Sequence, residues 1–353
     1  MHFSRGISGK PLIQLLHKYL GLSRTIAEAA TQTVIVHPEQ EIFIEQAFHL
    51  DGQLDRVTNV ASNSSWELEK QRMASGVKVQ GPTLAYRIDH GVFSAGRLYT
   101  NRAQEKQGGT QKRKPFCVVT DELDTAVLPL SYFATIYFGH MVFDGGATSL
   151  SAPNFGETYI DTAVSKGMTG HVARYWDLFG LSYTAVKDVR IRHAWVFDDR
   201  GMNSDKASRL QTMSAKVRML PGIRSGHGVF MRRRGWGAHR APENEAELEN
   251  HFAARGFDII DPSELSVDEI VASTRDAEVL VGVEGSGMTH GMLAMARGTT
   301  IIMMFPPWRL NNMMKDYADG LGLRYGFVVG TGQHNNYRID PDEILRTIEV
   351  TRK

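Results

Sequence analysis

Residues Ala277–Trp308 read AEVLVGVEGSGMTHGMLAMARGTTIIMMFPPW, and their pattern decides the fold class. An apolar run, Val279 to Val283, meets a Gly-Ser-Gly turn. A helix-compatible segment follows, Thr289 to Ala296, and Gly298 stops it. A second apolar run, Thr300 to Phe305, ends at Pro306-Pro307. Apolar runs joined through a helix mark a parallel β–α–β unit, with the glycine turn where the first strand hands over to the helix. Such a turn can offer backbone N–H groups and a helix N-terminus to a phosphate. Phosphate binding is one reading; a merely tight β–α turn is the other.

Several known turns do not fit. No Gly-Lys-Ser/Thr follows, so this is not a Walker loop. Glu284 and Met288 flank Ser286 where a hydrolase nucleophile elbow needs glycine-like residues. Gly285 and Gly287 supply a GxG, but His290 occupies the third-glycine position of a dinucleotide fingerprint and Gly291 arrives one residue late.

Working outward, strands at Gly228–Met231, Phe257–Ile260 and Arg324–Val329 alternate with helices at 244–255, 267–274 and 341–351, which predicts an α/β fold with a parallel sheet covered on both faces. Ligands of such sheets sit beyond the carboxyl ends of the strands, where Arg232, the 284–289 turn and the Pro306–Trp308 loop should gather. Towards the N-terminus, strand-like runs fall at Thr33–Val36, Thr83–Ile88, Val92–Tyr99 and Phe116–Thr120, then Tyr183–Val186 and Ala194–Phe197. Helices are predicted at 172–179 and 204–219. Asn101–Pro115 reads as a mobile loop, and GIRSGHG at 222–228 as a hinge.

At 353 residues the chain has room for two domains. The net charge of +1 argues against nucleic acid as a partner, and the single cysteine, Cys117, excludes an internal disulfide and a Cys-based zinc site. No stretch approaches the ~20 apolar residues of a membrane span. A cytoplasmic protein is expected. Ser8 to Arg24 predicts a short amphipathic helix from Pro11, carrying Lys10, Lys18 and Arg24 with no acid before Glu28. It either packs on its own domain or makes a weak peripheral contact at the inner membrane face.

VFMRR at 229–233, containing Arg232, is followed by Arg240, Asn244-Glu245, Gly256-Phe257, EGSGMTH at 284–290 and Leu321-Gly322-Leu323-Arg324-Tyr325; upstream stands YFGHMVFD at 137–144. In order and spacing these resemble glycosyltransferase family 61, whose bacterial members include capsule and polysaccharide enzymes. The resemblance covers most of residues 30–330 and is strongest over 229–326. Glu284 departs from the family's usual His, and His290 stands where a small polar residue is usual. A carboxylate there would repel a pyrophosphate unless it is turned away, paired with an Arg, or aimed at a ribose hydroxyl.

The resemblance implies a GT-B architecture, two Rossmann-like domains facing each other across a cleft. After an N-terminal helix and lead-in (1–29) would come an acceptor-binding α/β domain (30–221), a sugar-nucleotide-binding domain (222–335) and a terminal helix (336–353). It implies an inverting glycosyltransferase that moves a sugar from a nucleotide-sugar, UDP-linked by family habit, to a glycan or polysaccharide acceptor. No cofactor is expected, and Asp198-Asp199-Arg200 reads as a turn rather than a metal site. His140 is the candidate base, with Asp144 orienting it; histidines titrate near pH ~6.5, and a helix would put i and i+4 on one face. From spacing alone, a core His among Tyr137, Phe138 and Phe143 is the stronger reading; the resemblance reverses that. Arg232, helped by Arg240, would clamp the diphosphate with the amides at Ser286 to Thr289. Asn244, Glu284, Gly285, Gly287 and Met288 complete the expected nucleotide-sugar site, and Trp308 either stacks on the base or caps the domain. The rivals are a nicotinamide oxidoreductase, a catalytically inactive nucleotide- or glycan-binding protein of the same fold, and an interaction scaffold.

Overall fold

The structure is a computed structural model describing residues 6–108, 112–223, 228–233, 240–333 and 336–352. Parts of the expected hinge and of the Asn101–Pro115 loop lie outside these residues. Two compact units emerge, one made of residues 1–40 and 80–206, the other of 41–79 and 207–353. These divisions are drawn differently from the expected ones: residues 41–79 join the second half, and the terminal helix Pro341–Arg352 is part of that unit.

The second unit holds a five-stranded, wholly parallel sheet. Numbered along the chain, β1 (Gly228–Met231), β2 (Phe257–Ile260), β3 (Val279–Val283), β4 (Thr300–Phe305) and β5 (Arg324–Val329) lie in the order 2-1-3-4-5. This is the flavodoxin-like order, in which the chain reverses direction across the sheet between β1 and β3. Every residue of β3 and β4 is buried, as continuous apolar runs require. The core joins Phe230, Val281, Ile302 and Val328 to Leu248, Phe252, Ile344 and Ile348 from helices Glu245–Ala253 and Pro341–Arg352. Helix Val267–Thr274 starts at a capping box between Ser266 and Glu269.

Residues 41–79 belong to this unit because they dock on β5 and its neighbours. The Phe48 amide donates to the Tyr325 carbonyl, and the Phe327 amide to that of Phe48, which occupies part of an edge that would otherwise be open. Arg56 grips Glu343 through two hydrogen bonds of 2.7 and 2.6 Å, and Arg72 pairs with Asp316 at 3.0 Å.

The first unit corrects the Rossmann-like expectation for the N-terminal half. Its main sheet has six strands and pairs mostly antiparallel. The long strand Thr83–Ser94 carries Val189–Asp198 on one edge, and Gln32–His37 and Arg97–Tyr99 in succession on the other, all antiparallel; only Asp121–Val127 pairs parallel, with Val189–Asp198. Sequence reading broke this region in the wrong place. Thr83–Ser94 runs unbroken through Asp89–Gly91, whereas the run Val92–Tyr99 folds back at Ala95-Gly96. Both turn residues have positive φ (49° and 66°), which matches a two-residue hairpin to the strands' twist. The core here is Tyr86, Ile88, Phe93, Leu98, Ile191 and Val196.

Candidate functional site

Two constellations stand out, one in each unit. In the second, the chain leaves β1 at Arg232-Arg233 and β3 at Glu284-Gly285, the two neighbouring strands at the topological switch point. The crevice at such a point is where ligands of open α/β sheets sit. Gly285 has φ +152°, and a Cβ on it would collide with the Arg233 guanidinium, so the glycine is what lets that cation lie against the turn. The amides of Gly285, Ser286 and Gly287 have no hydrogen-bond partner among the described residues. Those of Met288 and Thr289 donate instead to the carbonyls of Gly285 and Ser286. Among the described residues, the turn's unpaired amides thus fall at 285–287 rather than at 286–289. The following helix, Met288–Ala294, is only seven residues long, so its dipole adds little at the turn.

Glu284 is buried, and its Oε2 accepts from both Arg240 and Arg309. Of the ways a carboxylate could be tolerated beside a phosphate, pairing with arginine is the one the fold adopts. Burial, then the neighbouring Arg240, push the Arg233 guanidinium down to about 10, with Glu284 pulling the other way; it remains a cation at neutral pH. Burial also lowers Arg240, and Glu284 again opposes the shift.

Other predicted residues have different employment. Arg232 donates to Glu249 at 2.5 Å, and that bond raises its pKa; Arg233, the next residue, is the one on the glycine turn. Asn244 holds both the amide and the carbonyl of Ile339, at 3.1 and 2.8 Å, a structural clasp. Trp308 packs edge-on against Tyr337 with ring centroids 5.6 Å apart, and the Tyr337 hydroxyl donates to the Arg240 carbonyl at 2.6 Å. Arg233 and Arg309 were missed. The available signal was positional, since both are arginines just beyond the carboxyl end of a parallel strand.

In the first unit, residues 138–151 form one helical run with a π turn at Met141–Gly145. Such widened turns often occur where a helix aims a functional side chain. His140 Nδ1 lies 2.6 Å from Asp144 Oδ2, and Asp144 Oδ1 accepts from Lys206 Nζ at 2.8 Å. Burial by itself would raise the Asp144 carboxyl, but the Lys206 ammonium, then the bond to His140, outweigh it and hold the group below its ordinary range. An ionised carboxylate can only accept. His140 therefore donates to it through Nδ1. Lys206 Nζ also donates to the Asp199 carbonyl at 2.7 Å, so this buried cation is doubly anchored. No local motif flags Lys206; only the fold brings it to Asp144. Asp199 accepts from Thr83 and Thr148, and Asp198 pairs with Arg200, so the aspartate run is structural.

Against known proteins, the family model described as Glycosyltransferase 61 matches residues 138–302. The match takes in His140, Asp144, Lys206, Arg233, Arg240 and Glu284, ends before Arg309, and supports glycosyltransferase chemistry for this domain. No curated protein matches the chain. Among solved structures, the flavodiiron protein from Giardia intestinalis is similar at a TM-score of 0.25 and 7% identity, over 77% of this chain and 64% of that one. So slight a likeness carries no argument about fold or function.

Proposed function

We propose that this protein is an inverting, metal-independent glycosyltransferase that moves a sugar from a nucleotide-sugar to a hydroxyl of a glycan acceptor, in surface-polysaccharide biosynthesis. The observation that carries the reading is the set of three arginines, Arg233, Arg240 and Arg309, around the Gly285–Gly287 turn at the switch point. In such a reaction, the acceptor hydroxyl would give its proton to a base, for which His140 is the candidate, as its oxygen attacks the anomeric carbon. The bond from that carbon to the diphosphate breaks, and its electron pair leaves on the phosphate oxygen. Guanidinium groups and turn amides would stabilise that charge without a metal. Asp144, kept ionised by Lys206, would steady the imidazolium that forms.

Calorimetry against UDP, GDP and CMP, with and without EDTA, tests this. One diphosphate nucleotide should bind regardless of EDTA. Arg233→Ala should weaken it by roughly 1.5–3 kcal/mol, the worth of a charge-assisted hydrogen bond, and Arg232→Ala should weaken it far less. No binding of any nucleotide would sink the proposal.

A further inference from the structure

The helix Lys10–Tyr19 tucks Leu12 and Leu15 only partway in and leaves other apolar side chains outside. A helix lying on a soluble domain turns its apolar stripe inward. Here the buried positions are Pro11 and Gln14, and Gln14 accepts from Arg113. Ile13, Leu16 and Leu20, which share a face at i, i+3 and i+7, are exposed, with Leu20 at 69% and the adjoining Tyr19 at 82%. Beside the start of this helix runs a two-stranded ribbon, Gly6–Ser8 against Cys117–Val119. Its cross-strand pair Ile7 and Val118 also faces out, at 74% and 57%, as does Phe116. Helix and ribbon are continuous: the Leu12 amide donates to the Pro115 carbonyl, and Gly9 packs on the Phe116 ring. Large side chains exposed together on adjoining elements exceed the scattered exposure normal for a soluble domain.

Charge says what covers the patch. Residues 6–27 contain Lys10, Lys18 and Arg24, residues 112–120 contain Lys112, Arg113 and Lys114, and neither segment contains an Asp or Glu. Lys18, Arg24, Lys112 and Lys114 are exposed. An apolar face flanked by these cations complements an anionic bilayer, where leucines enter the acyl boundary and lysines stay among the headgroups. The helix has ten residues, and no helix among the described residues is long and apolar enough to cross a membrane, so it would lie in the plane of the interface.

We infer that the helix–ribbon surface Lys10–Leu20 with Ile7, Phe116 and Val118 docks the protein on an anionic membrane surface. Flotation of the full chain with vesicles tests it. Binding should appear on phosphatidylcholine vesicles containing phosphatidylglycerol, fade as salt is raised, and be much weaker on phosphatidylcholine alone. Leu16→Ser/Leu20→Ser should cut binding on the order of a hundredfold. Lys18→Ser/Lys114→Ser should cut it on the order of tenfold. All four positions are exposed, and unchanged melting temperatures would show that folding is intact. Failure to float with anionic vesicles overturns the inference. So does a dimer of the native chain that the leucine variant dissolves, since the patch would then belong to a second copy.

Discussion

Glu284 holds two arginines with one carboxylate oxygen, and that sharing has a measurable cost when removed. Glu284→Gln leaves Arg240 and Arg309 without their counter-charge in a largely buried place. Loss of one partner from a buried ion pair destabilises by roughly 3 kcal/mol. The variant should melt well below the native protein in plain buffer, and added pyrophosphate should restore more of the loss than it adds to the native protein. Equal shifts in both would separate Glu284 from the anion site. Asp144 makes a pH prediction. Its folded pKa is depressed, so the stability it contributes is fully present above the ordinary aspartate value of about 4 and is lost as pH falls through the folded value. Asp144→Asn should therefore lose less stability than the native protein when both are titrated from pH ~5 downward, and its turnover should fall by a factor of roughly 10²–10⁴ if His140 is the base.

Strand Gln104–Lys106 lies at the end of the first unit's sheet and carries a carboxyl that the fold disfavours. Burial, then the Asp198 charge, raise Glu105 to about 7. A carboxyl raised above its unfolded value of about 4.3 weakens the folded state when ionised, so stability should rise as pH falls from above 7 towards 4. Glu105→Gln should be more stable than the native protein by about 1–2 kcal/mol at pH ~8, with the two converging below pH ~5. Chemical denaturation at both pH values checks it; an unchanged gap would place the effect in packing rather than ionisation. Element reading itself succeeded where a local signal sat at each end. The apolar runs of β3 and β4, closed by Gly285 and by Pro306-Pro307, put those strands where they were expected. It failed at Ala95-Gly96, where apolar residues on both sides disguise a hairpin as one strand.

Across the whole molecule, a ligand held only by the folded state adds stability by mass action. The nucleotide found by calorimetry, at a hundredfold its dissociation constant, should stabilise the protein by about 2.7 kcal/mol. A thermal melt should show the shift with EDTA present; its absence despite calorimetric binding would mean that the unfolded chain binds as well.

By itself the amino-acid sequence determined the second unit's five parallel strands and the helices Glu245–Ala253, Val267–Thr274 and Pro341–Arg352, the glycine turn, and the i, i+4 spacing of His140 and Asp144, but not the helices Trp66–Met73 and Met313–Leu321. Each feature it determined rests on periodicity, a cap or a turn residue, which act over a few neighbours. Only the tertiary structure decided the rest. It laid Arg233 rather than Arg232 against the glycine turn, and Glu249 on a neighbouring helix pairs with the latter. It brought Arg309 to Glu284 and Lys206 to Asp144 across 25 and 62 positions of chain. It set residues 41–79 against β5, and it left Ile13 and Leu16 of the first helix exposed while burying Gln14 against Arg113. Those choices depend on which surfaces meet once the sheets have formed, and no local pattern carries that information.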